Sequence, residues 1–145
     1  MLSINRYDQA HIGQARARIA SQLSTYATLL AVMKGQAPGD GDAQDAVIAA
    51  FEHDFFAHLV LALDHYFDRR AHGLEGDDGN PLNEVRLLCD ALTSHDGRLT
   101  LDKTMKYDPA GSVLKLAPGD SIRMGADDFD KLQKAFFAEI ETRYA

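Results

Sequence analysis

Two unusually long helical patterns at the start of the chain constrain its fold more than any other feature. The first covers residues 8–34, and the second begins after a polar loop at 36–45 and continues to about residue 72. At 1.5 Å per residue, each helix would be roughly 40 Å long. A compact domain of 145 residues has a diameter of only about 38 Å. Both helices should therefore span the whole molecule.

The first pattern carries an apolar side chain at every third or fourth position, which is the period of an amphipathic helix. Its members are Ile12, Ala15, Ile19, Leu23, Tyr26, Leu30 and Met33. Gly35 is a candidate C-terminal cap for this helix. Asp42 is a candidate N-cap for the second helix, with Asp45 in the first turn, where the helix dipole favours an anion.

Two further helices are predicted later in the chain. GLEGDDGN at 73–80 ends the second helix, and Asn80-Pro81 is a strong start signal, because asparagine caps a helix and proline suits its first turn. The third helix runs over PLNEVRLLCDALTSH until Gly97, and the last runs over GADDFDKLQKAFFAEIETRYA. The apolar stripe of the last helix consists of Phe129, Leu132, Phe136, Ile140 and Tyr144.

Between these two helices the pattern changes to short runs typical of strands. The runs at 98–124 are RLTL, TMKY, SVLKL and SIRM. Residues 108–111 have the composition of a type I turn, and residues 117–120 that of a type II turn. We predict a mainly α (α+β) single domain over 1–145. It is a four-helix bundle-like arrangement with two long N-terminal helices and a small antiparallel β-meander between helices 3 and 4.

Charge and composition exclude several classes of partner. A net charge of −7 opposes non-specific binding to nucleic acid or to anionic lipid, and Arg69 and Arg70 are predicted as solvated surface residues rather than a basic patch. The longest apolar runs, LVLAL and ATLLAVM, are far shorter than the ~20 residues of a membrane span. The N-terminus lacks a signal-peptide pattern, and a single cysteine excludes an intrachain disulfide. We therefore expect a cytoplasmic protein without a membrane partner.

Four of the six histidines lie in HDFFAHLVLALDHYFDRRAH, His53 to His72. A helical projection at 100° per residue, started at Phe51, places the aromatic and aliphatic side chains on one broad core face. The opposite face carries Asp54, His58, Leu61, His65, Asp68 and His72. We call these six residues the His/Asp face and predict that it is an interaction face.

A metal site on the His/Asp face is a weak alternative. Histidines seven residues apart lie roughly 10 Å apart along a helix, whereas ligands of one zinc ion must converge to about 2 Å. The pairs Asp54–His58 and His65–Asp68 are better placed, but each supplies only two ligands. Neither Glu-x-x-His nor HExxH occurs. We predict no metal and no cofactor, with these four residues as weak metal candidates.

Catalytic motifs are equally scarce. GxSxG, GxxxxGK[ST] and GxGxxG do not occur. Cys89 lies on the apolar stripe of the third helix, which favours a buried, inert thiol over a nucleophile. Arg6 and His11 have the spacing that HEPN-type helical RNases use, but a chain of this composition is expected to contain such a spacing by chance.

Three segments of the second half have a distinctive combined pattern: DGNPLNEVRLLCDAL, DKTMKYDPAGSVLKLAPGDSIRM and DFDKLQKAFFAEIETRY. Together they resemble a family of small bacterial proteins that carry no assigned function. The resemblance implies a bacterial source. It implies no activity, so no catalytic residue is carried over from it.

Two classes of function remain. The first is a non-enzymatic, self-associating helical protein with an interaction or regulatory role, most simply a two-fold dimer. It is favoured because two over-long helices cannot bury all of their apolar surface against shorter elements. The alternative is a helical HEPN-type nuclease or metal-assisted hydrolase that uses the His/Asp face. The absence of a catalytic motif favours the first class.

Overall fold

The two long N-terminal helices form an antiparallel hairpin, against which the rest of the chain packs. A computed structural model describes residues 2–35, 41–101 and 105–145. In these ranges it contains α1 (Gln9–Gly35), α2 (Gly41–His65), α3 (His72–Glu75), α4 (Pro81–Ser94), α5 (Ala126–Tyr144) and a 3-10 turn at Pro109–Gly111. The prediction of a mainly helical protein with two long N-terminal helices is therefore confirmed.

The core lies where the C-terminal half of α2 meets α4 and α5, and α1 covers one side of it. Aromatic rings dominate its centre. The ring of Phe56 lies 5.7 Å from that of Phe129, and the ring of Phe67 lies 5.7 Å from that of Phe136. All four side chains are fully buried, and burial of such side chains is the main source of stability in a domain of this size.

The start of α4 is fixed as its sequence predicts. The Asn80 side-chain oxygen accepts hydrogen bonds from the backbone amides of Leu82, at 2.8 Å, and Asn83, at 3.4 Å. These bonds satisfy two of the amides that a helix start leaves unpaired. Gly79, just before the cap, has φ +83° and lies so close to the Lys106 carbonyl that no side chain fits there.

The second helix ends earlier than predicted. α2 stops at His65 instead of continuing to about residue 72. Arg69 adopts a left-handed backbone conformation with φ 59°, and the chain then pairs with the N-terminal segment. The Ile4 amide donates to the Arg69 carbonyl at 2.6 Å, and the Ala71 amide donates to the Ile4 carbonyl at 2.8 Å. After this turn Arg70 lies beside Glu75 and Asp64, which hold its side chain inside the protein.

The predicted β-meander is not present. Within 98–101 and 105–124 the structure has no strand, and only a single antiparallel bridge joins Arg98 to Ser121. Part of the meander prediction, residues 102–104, lies outside the described residues. Side chains replace the ladder hydrogen bonds: the Glu84 carboxylate accepts from the amides of Val113 and Leu114, at 2.8 and 2.9 Å. The strand-like composition reflects a largely exposed loop in which Leu99, Ile122 and Met124 are buried in the core.

Both predicted turns in this loop are confirmed as turns. The Gly111 amide donates to the Asp108 carbonyl at 3.0 Å, and the Asp120 amide donates to the Ala117 carbonyl at 3.0 Å. Gly119 has φ 91°, as the third position of a type II turn requires. The loop therefore keeps its turns without the strands that they were expected to connect.

Candidate functional site

The structure divides the His/Asp face among three elements. Its members are Asp54, His58, Leu61 and His65 on α2, Asp68 in the following turn, and His72 at the start of α3. All are exposed except Leu61, which is half-buried. The seven-residue repeat of histidines is interrupted after His65, because the helix that would continue it ends there.

The weak metal candidates do not converge on one point. The His58 Nδ1 atom lies 2.7 Å from the backbone carbonyl oxygen of Asp54, so this hydrogen bond does not involve the Asp54 carboxylate. The backbone carbonyl of Asp68 accepts a hydrogen bond from the Tyr7 hydroxyl at 2.9 Å. Across 2–35, 41–101 and 105–145, no three His, Cys, Asp or Glu side chains are grouped as a metal site needs.

His11, the histidine with nuclease-like spacing from Arg6, is held by packing contacts. Its Nε2 atom lies 2.6 Å from the Tyr66 carbonyl oxygen, and its ring stacks on Tyr7 with 5.3 Å between centroids. Its backbone amide donates to the Asp8 carboxylate at 2.8 Å, at the start of α1. A nuclease histidine must present a ring nitrogen to its substrate, and in this exposed ring the Tyr66 contact leaves Nδ1 for that role.

Cys89 is a half-buried thiol that faces α2. Its Sγ donates a weak hydrogen bond to the Val60 carbonyl at 3.7 Å. Burial raises the pKa of this thiol far above its usual range. A thiol in such an apolar setting stays protonated and is a poor nucleophile.

Most of the exposed apolar surface lies where α1 ends and α2 begins. Buried positions in α1 stop at Tyr26, and α2 does not join the main core before Phe56. We call residues 27–35 and 41–55 the hairpin end. Of the eight large apolar side chains that are exposed in the described residues, five lie there: Leu29, Val32, Met33, Val47 and Phe51. The projection placed Phe51 on the core face, yet it is 48% exposed.

An apolar groove of about 180 Å³ runs between α1 and α2 at the hairpin end. Its walls are Tyr26, Leu29, Leu30, Met33, Val47, Ile48 and Phe51. The Tyr26 hydroxyl donates to the Glu52 carboxylate at 2.5 Å, and its ring stacks on Phe55. Burial and the Glu52 carboxylate raise the pKa of Tyr26 to about 12, which keeps the hydroxyl a donor at neutral pH. The groove therefore offers almost purely apolar contacts.

The surface around the groove is depleted of charge. α1 carries no charged residue between Arg18 and Lys34, and α2 carries none between Asp45 and Glu52. The exposed positions of the α1 stretch hold alanine, serine, threonine, glutamine and aliphatic side chains. Missing charges and exposed large apolar residues together are typical of the centre of a protein–protein interface.

α2 also meets a simple criterion for a membrane span. Its length and hydropathy suffice, and 28% of its apolar window is buried within the fold. Its C-terminal half contributes fully buried residues to the core, among them Phe56, Val60 and Leu63. Core helices meet the same criterion, so the apolar character of this half is accounted for by packing.

A buried ion-pair cluster lies at the other end of α2, around Arg70 and Glu75, which are 3% and 1% exposed. Arg70 Nε donates to Glu75 at 2.8 Å, and Arg70 Nη1 donates to Asp64 at 2.8 Å. Arg86 donates to both Glu75 oxygens, at 2.9 and 2.7 Å. Asn83 Nδ2 donates a further hydrogen bond to the Glu75 carboxylate at 2.9 Å. The prediction that Arg70 is a solvated surface residue is wrong, because these carboxylates hold it inside.

Glu75 remains ionised to low pH. Burial alone would raise the pKa of its carboxyl group, but the hydrogen bonds and charges of Arg86 and Arg70 outweigh burial and lower the pKa to about 2. A buried charge that loses its partner is strongly destabilising. The cluster therefore depends on each of its members.

One donor in the cluster is unused. Arg70 Nη2 is buried and has no hydrogen-bond partner among the described residues. The Phe136 ring, with its centroid 5.5 Å from the Arg70 Cζ, provides a cation–π contact instead. An unpaired buried donor costs about 1–3 kcal/mol, so it requires an explanation.

Arg70 also lines a small cleft of about 130 Å³ between the end of α2, the following turn and α4. We call it the arginine cleft. It is lined by Asp64, Phe67, Asp68, Arg69, Arg70, His72 and Arg86. Two members of the His/Asp face, Asp68 and His72, thus meet three arginines here.

The chain matches no family model, no curated protein and no solved structure. Its function is therefore argued from its own two distinctive surfaces, the hairpin end and the arginine cleft. Sequence reasoning identified neither, although the charge-free run in α1 is a visible signal for the first. For the arginine cleft the signal is the Arg69–Arg70 pair, a candidate basic patch, but the cleft forms because α2 ends before it.

Proposed function

We propose that this protein is a self-associating helical interaction protein, and that its hairpin end packs against the hairpin end of a second copy. The observation that carries the proposal is the apolar groove, with five exposed large apolar side chains in and around it. Two helices alone cannot enclose their apolar faces, whereas two hairpins that face each other complete a four-helix bundle. The dimer expected from the sequence is thereby assigned to the hairpin end.

The charge pattern favours a second copy over an unrelated partner. In a two-fold interface, residues near the axis meet their own counterparts, so a charged side chain there faces a like charge. Residues 19–33 of α1 and 46–51 of α2 contain no charged side chain. Self-association requires a surface without charged side chains near the axis, and these stretches meet that requirement. Binding to an oppositely charged partner would not require it.

The size of the surface suits a weak dimer. Its exposed length is about 20–25 Å, and two helices side by side are about 20 Å wide. The footprint is thus about 400–500 Å² per copy and about 1,000 Å² for a pair, which is the lower limit for a biological interface. We expect assembly at concentrations on the order of micromolar rather than a permanent dimer.

A lipid surface fits the hairpin end less well. Asp42 and Asp45 lie in the first turns of α2, at the tip that would have to enter the membrane. The net charge of −7 repels anionic headgroups. We therefore favour a homodimer over association with a membrane, and we propose this homodimer for a cytoplasmic protein of bacterial origin.

Sedimentation velocity from the low to the high micromolar range tests the proposal. Val47→Lys places a charge beside the groove, and Leu74→Lys places the same charge on an exposed leucine of α3 as a matched control. We expect the unchanged protein and Leu74→Lys to dimerise and Val47→Lys to remain monomeric, because the two introduced lysines would face each other.

The opposite pattern would overturn the proposal. A monomer over the whole concentration range contradicts self-association, and a dimer that Leu74→Lys disrupts but Val47→Lys does not contradicts the assigned surface. Co-sedimentation with phosphatidylcholine vesicles, lost in Val47→Lys, would assign the surface to lipid instead.

A further inference from the structure

The arginine cleft is independent of the hairpin end and contains a conformation that demands an explanation. Arg69 adopts φ 59°, a left-handed conformation that residues other than glycine rarely take. Such strain persists only where the surroundings impose it, and it is concentrated at functional sites. Here the turn brings Arg69 and Arg70 to the same cleft as Arg86 of α4.

Donors that the fold does not use are concentrated around this cleft. Arg70 Nη2 is buried without a partner. Arg86 binds Glu75 through Nε and Nη2, and its Nη1 makes no hydrogen bond to the residues that the structure describes. The only ion pair of Arg69 in the same ranges is a long one, with 3.9 Å between its Nε and Asp68. Arg69 and Arg86 therefore keep free N–H donors beside one small cavity, and Arg70, which also lines it, holds a further donor that is buried and unpaired.

We propose that the arginine cleft binds the carboxylate group of a small organic acid. Guanidinium groups present paired N–H donors that match the two oxygens of a carboxylate. At about 130 Å³, the cleft has the volume of about four water molecules and is smaller than the ~300 Å³ of a typical ligand pocket. It accommodates a carboxylate group with a short substituent, and a larger ligand would extend into solvent.

The acidic residues of the cleft decide between a carboxylate and a phosphate. Asp64 and Asp68 line the cleft beside the arginines. They nearly balance the positive charge of the arginines, so a second negative charge on the anion gains little net attraction while its desolvation cost rises. A singly charged carboxylate is therefore preferred over a phosphate.

Two-dimensional amide NMR of the full chain, titrated with sodium acetate, tests this site. Sodium chloride at equal ionic strength controls for screening, and sodium phosphate compares the anions. We expect saturable shifts confined to residues around 64–72 and 86 with acetate, weaker shifts with phosphate and none that saturate with chloride. Half-saturation should be on the order of millimolar, because an ion of so few atoms supplies little binding free energy.

Two test variants and one control variant assign the response to the cleft. Arg69→Ala removes an exposed guanidinium and should weaken acetate binding about tenfold, as loss of a charge-assisted contact does. Arg123→Ala removes an exposed arginine far from the cleft in sequence and should leave binding unchanged. Arg70→Lys keeps the buried cation but removes Nη2, and it should abolish saturable binding, with helix content by circular dichroism checking the fold.

Several results would overturn the proposal. Acetate shifts that match those of chloride, or phosphate binding tighter than acetate, contradict a carboxylate site. Equal loss of binding in Arg69→Ala and Arg123→Ala would show a general charge effect. If Arg70→Lys does not fold, the pair of surface variants decides alone. Dimerisation at the hairpin end involves none of these residues, so either proposal can fail without the other.

Discussion

The two halves of α2 show how neighbours decide the role of an apolar side chain. In the C-terminal half, Phe56 and Leu63 are fully buried against the other helices. In the N-terminal half, Val47 is 61% exposed and Phe51 nearly half exposed. The difference lies in length: α2 has 25 residues, whereas α4 has 14 and α5 has 19. The shorter helices cannot cover a helix of about 38 Å.

The covered and the open half of α2 should therefore control different properties. The covered half includes Phe56 and adjoins the ion-pair cluster, so substitutions there should change the free energy of unfolding. The open half contacts little of its own chain, so substitutions there should change association with little effect on the stability of the monomer. We call the C-terminal half of α2, the ion-pair cluster and the adjoining start of α4 the covered region. The substitutions compared below pair a residue of the covered region with one that is exposed or at the hairpin end.

Glu75→Gln should have the largest effect, because it leaves the buried Arg70 with Asp64 as its remaining counter-charge and removes the carboxylate that Arg86 binds. Breaking a buried pair by removal of one partner costs about 3–5 kcal/mol. We expect a loss of about 4 kcal/mol in urea unfolding. Lys134→Gln, which breaks an exposed pair with Asp130 on α5, is the control and should cost at most about 0.5 kcal/mol. A loss from Glu75→Gln as small as that expected for Lys134→Gln would show that the cluster does not stabilise the fold.

Phe56→Ala and Phe51→Ala compare the same substitution five residues apart on one helix. Phe56 is fully buried, so its truncation leaves a cavity and should cost about 3–4 kcal/mol. Phe51→Ala should cost less than about 1 kcal/mol and should instead weaken the dimer seen by sedimentation. If Phe51→Ala destabilises as strongly as Phe56→Ala, the hairpin end belongs to the core of the monomer.

Acidification should destabilise the buried ion-pair cluster. The pKa of Glu75 falls from 4.5 to about 2 on folding. Because the folded value lies below the unfolded one, its stabilisation is complete above pH 4.5 and is lost as the pH falls toward 2. The difference corresponds to about 3 kcal/mol, measured as the change in unfolding free energy across this range. Glu75→Gln should show a smaller loss over the same range, and an equal loss would assign the effect to other carboxylates.

The elements that sequence patterns predicted well are those that local interactions determine. The start of α4 follows from Asn80 and Pro81 alone. The Asn80 side chain accepts hydrogen bonds from backbone amides of the first turn, so all the groups involved lie within four residues. The turns at 108–111 and 117–120 are likewise local. The length of α1 follows from its uninterrupted period and its lack of proline, and Gly13 in the second turn does not interrupt it.

The elements that were predicted incorrectly depend on partners distant in sequence. α2 ends at His65, and the backbone after it pairs with Ile4 near the start of the chain, a distant contact that no local signal announces. The 98–124 segment has strand-like composition, but Glu84 of α4 takes the amides that a neighbouring strand would have paired. The arginine cleft depends on the position where α2 ends, because the turn that follows brings Arg69 and Arg70 beside Arg86.

Two glycines provide the smallest test of the same contrast. Gly79 lies in the covered region with φ +83°, and a Cβ there would collide with the Lys106 carbonyl oxygen. Gly35 ends α1 at the hairpin end, and a Cβ there would meet nothing. Gly79→Ala should therefore cost about 2 kcal/mol, whereas Gly35→Ala should be neutral or stabilising by up to about 0.5 kcal/mol, because alanine favours the helix. Equal destabilisation by the two substitutions in thermal unfolding would mean that the hairpin end is packed as tightly as the rest of the protein.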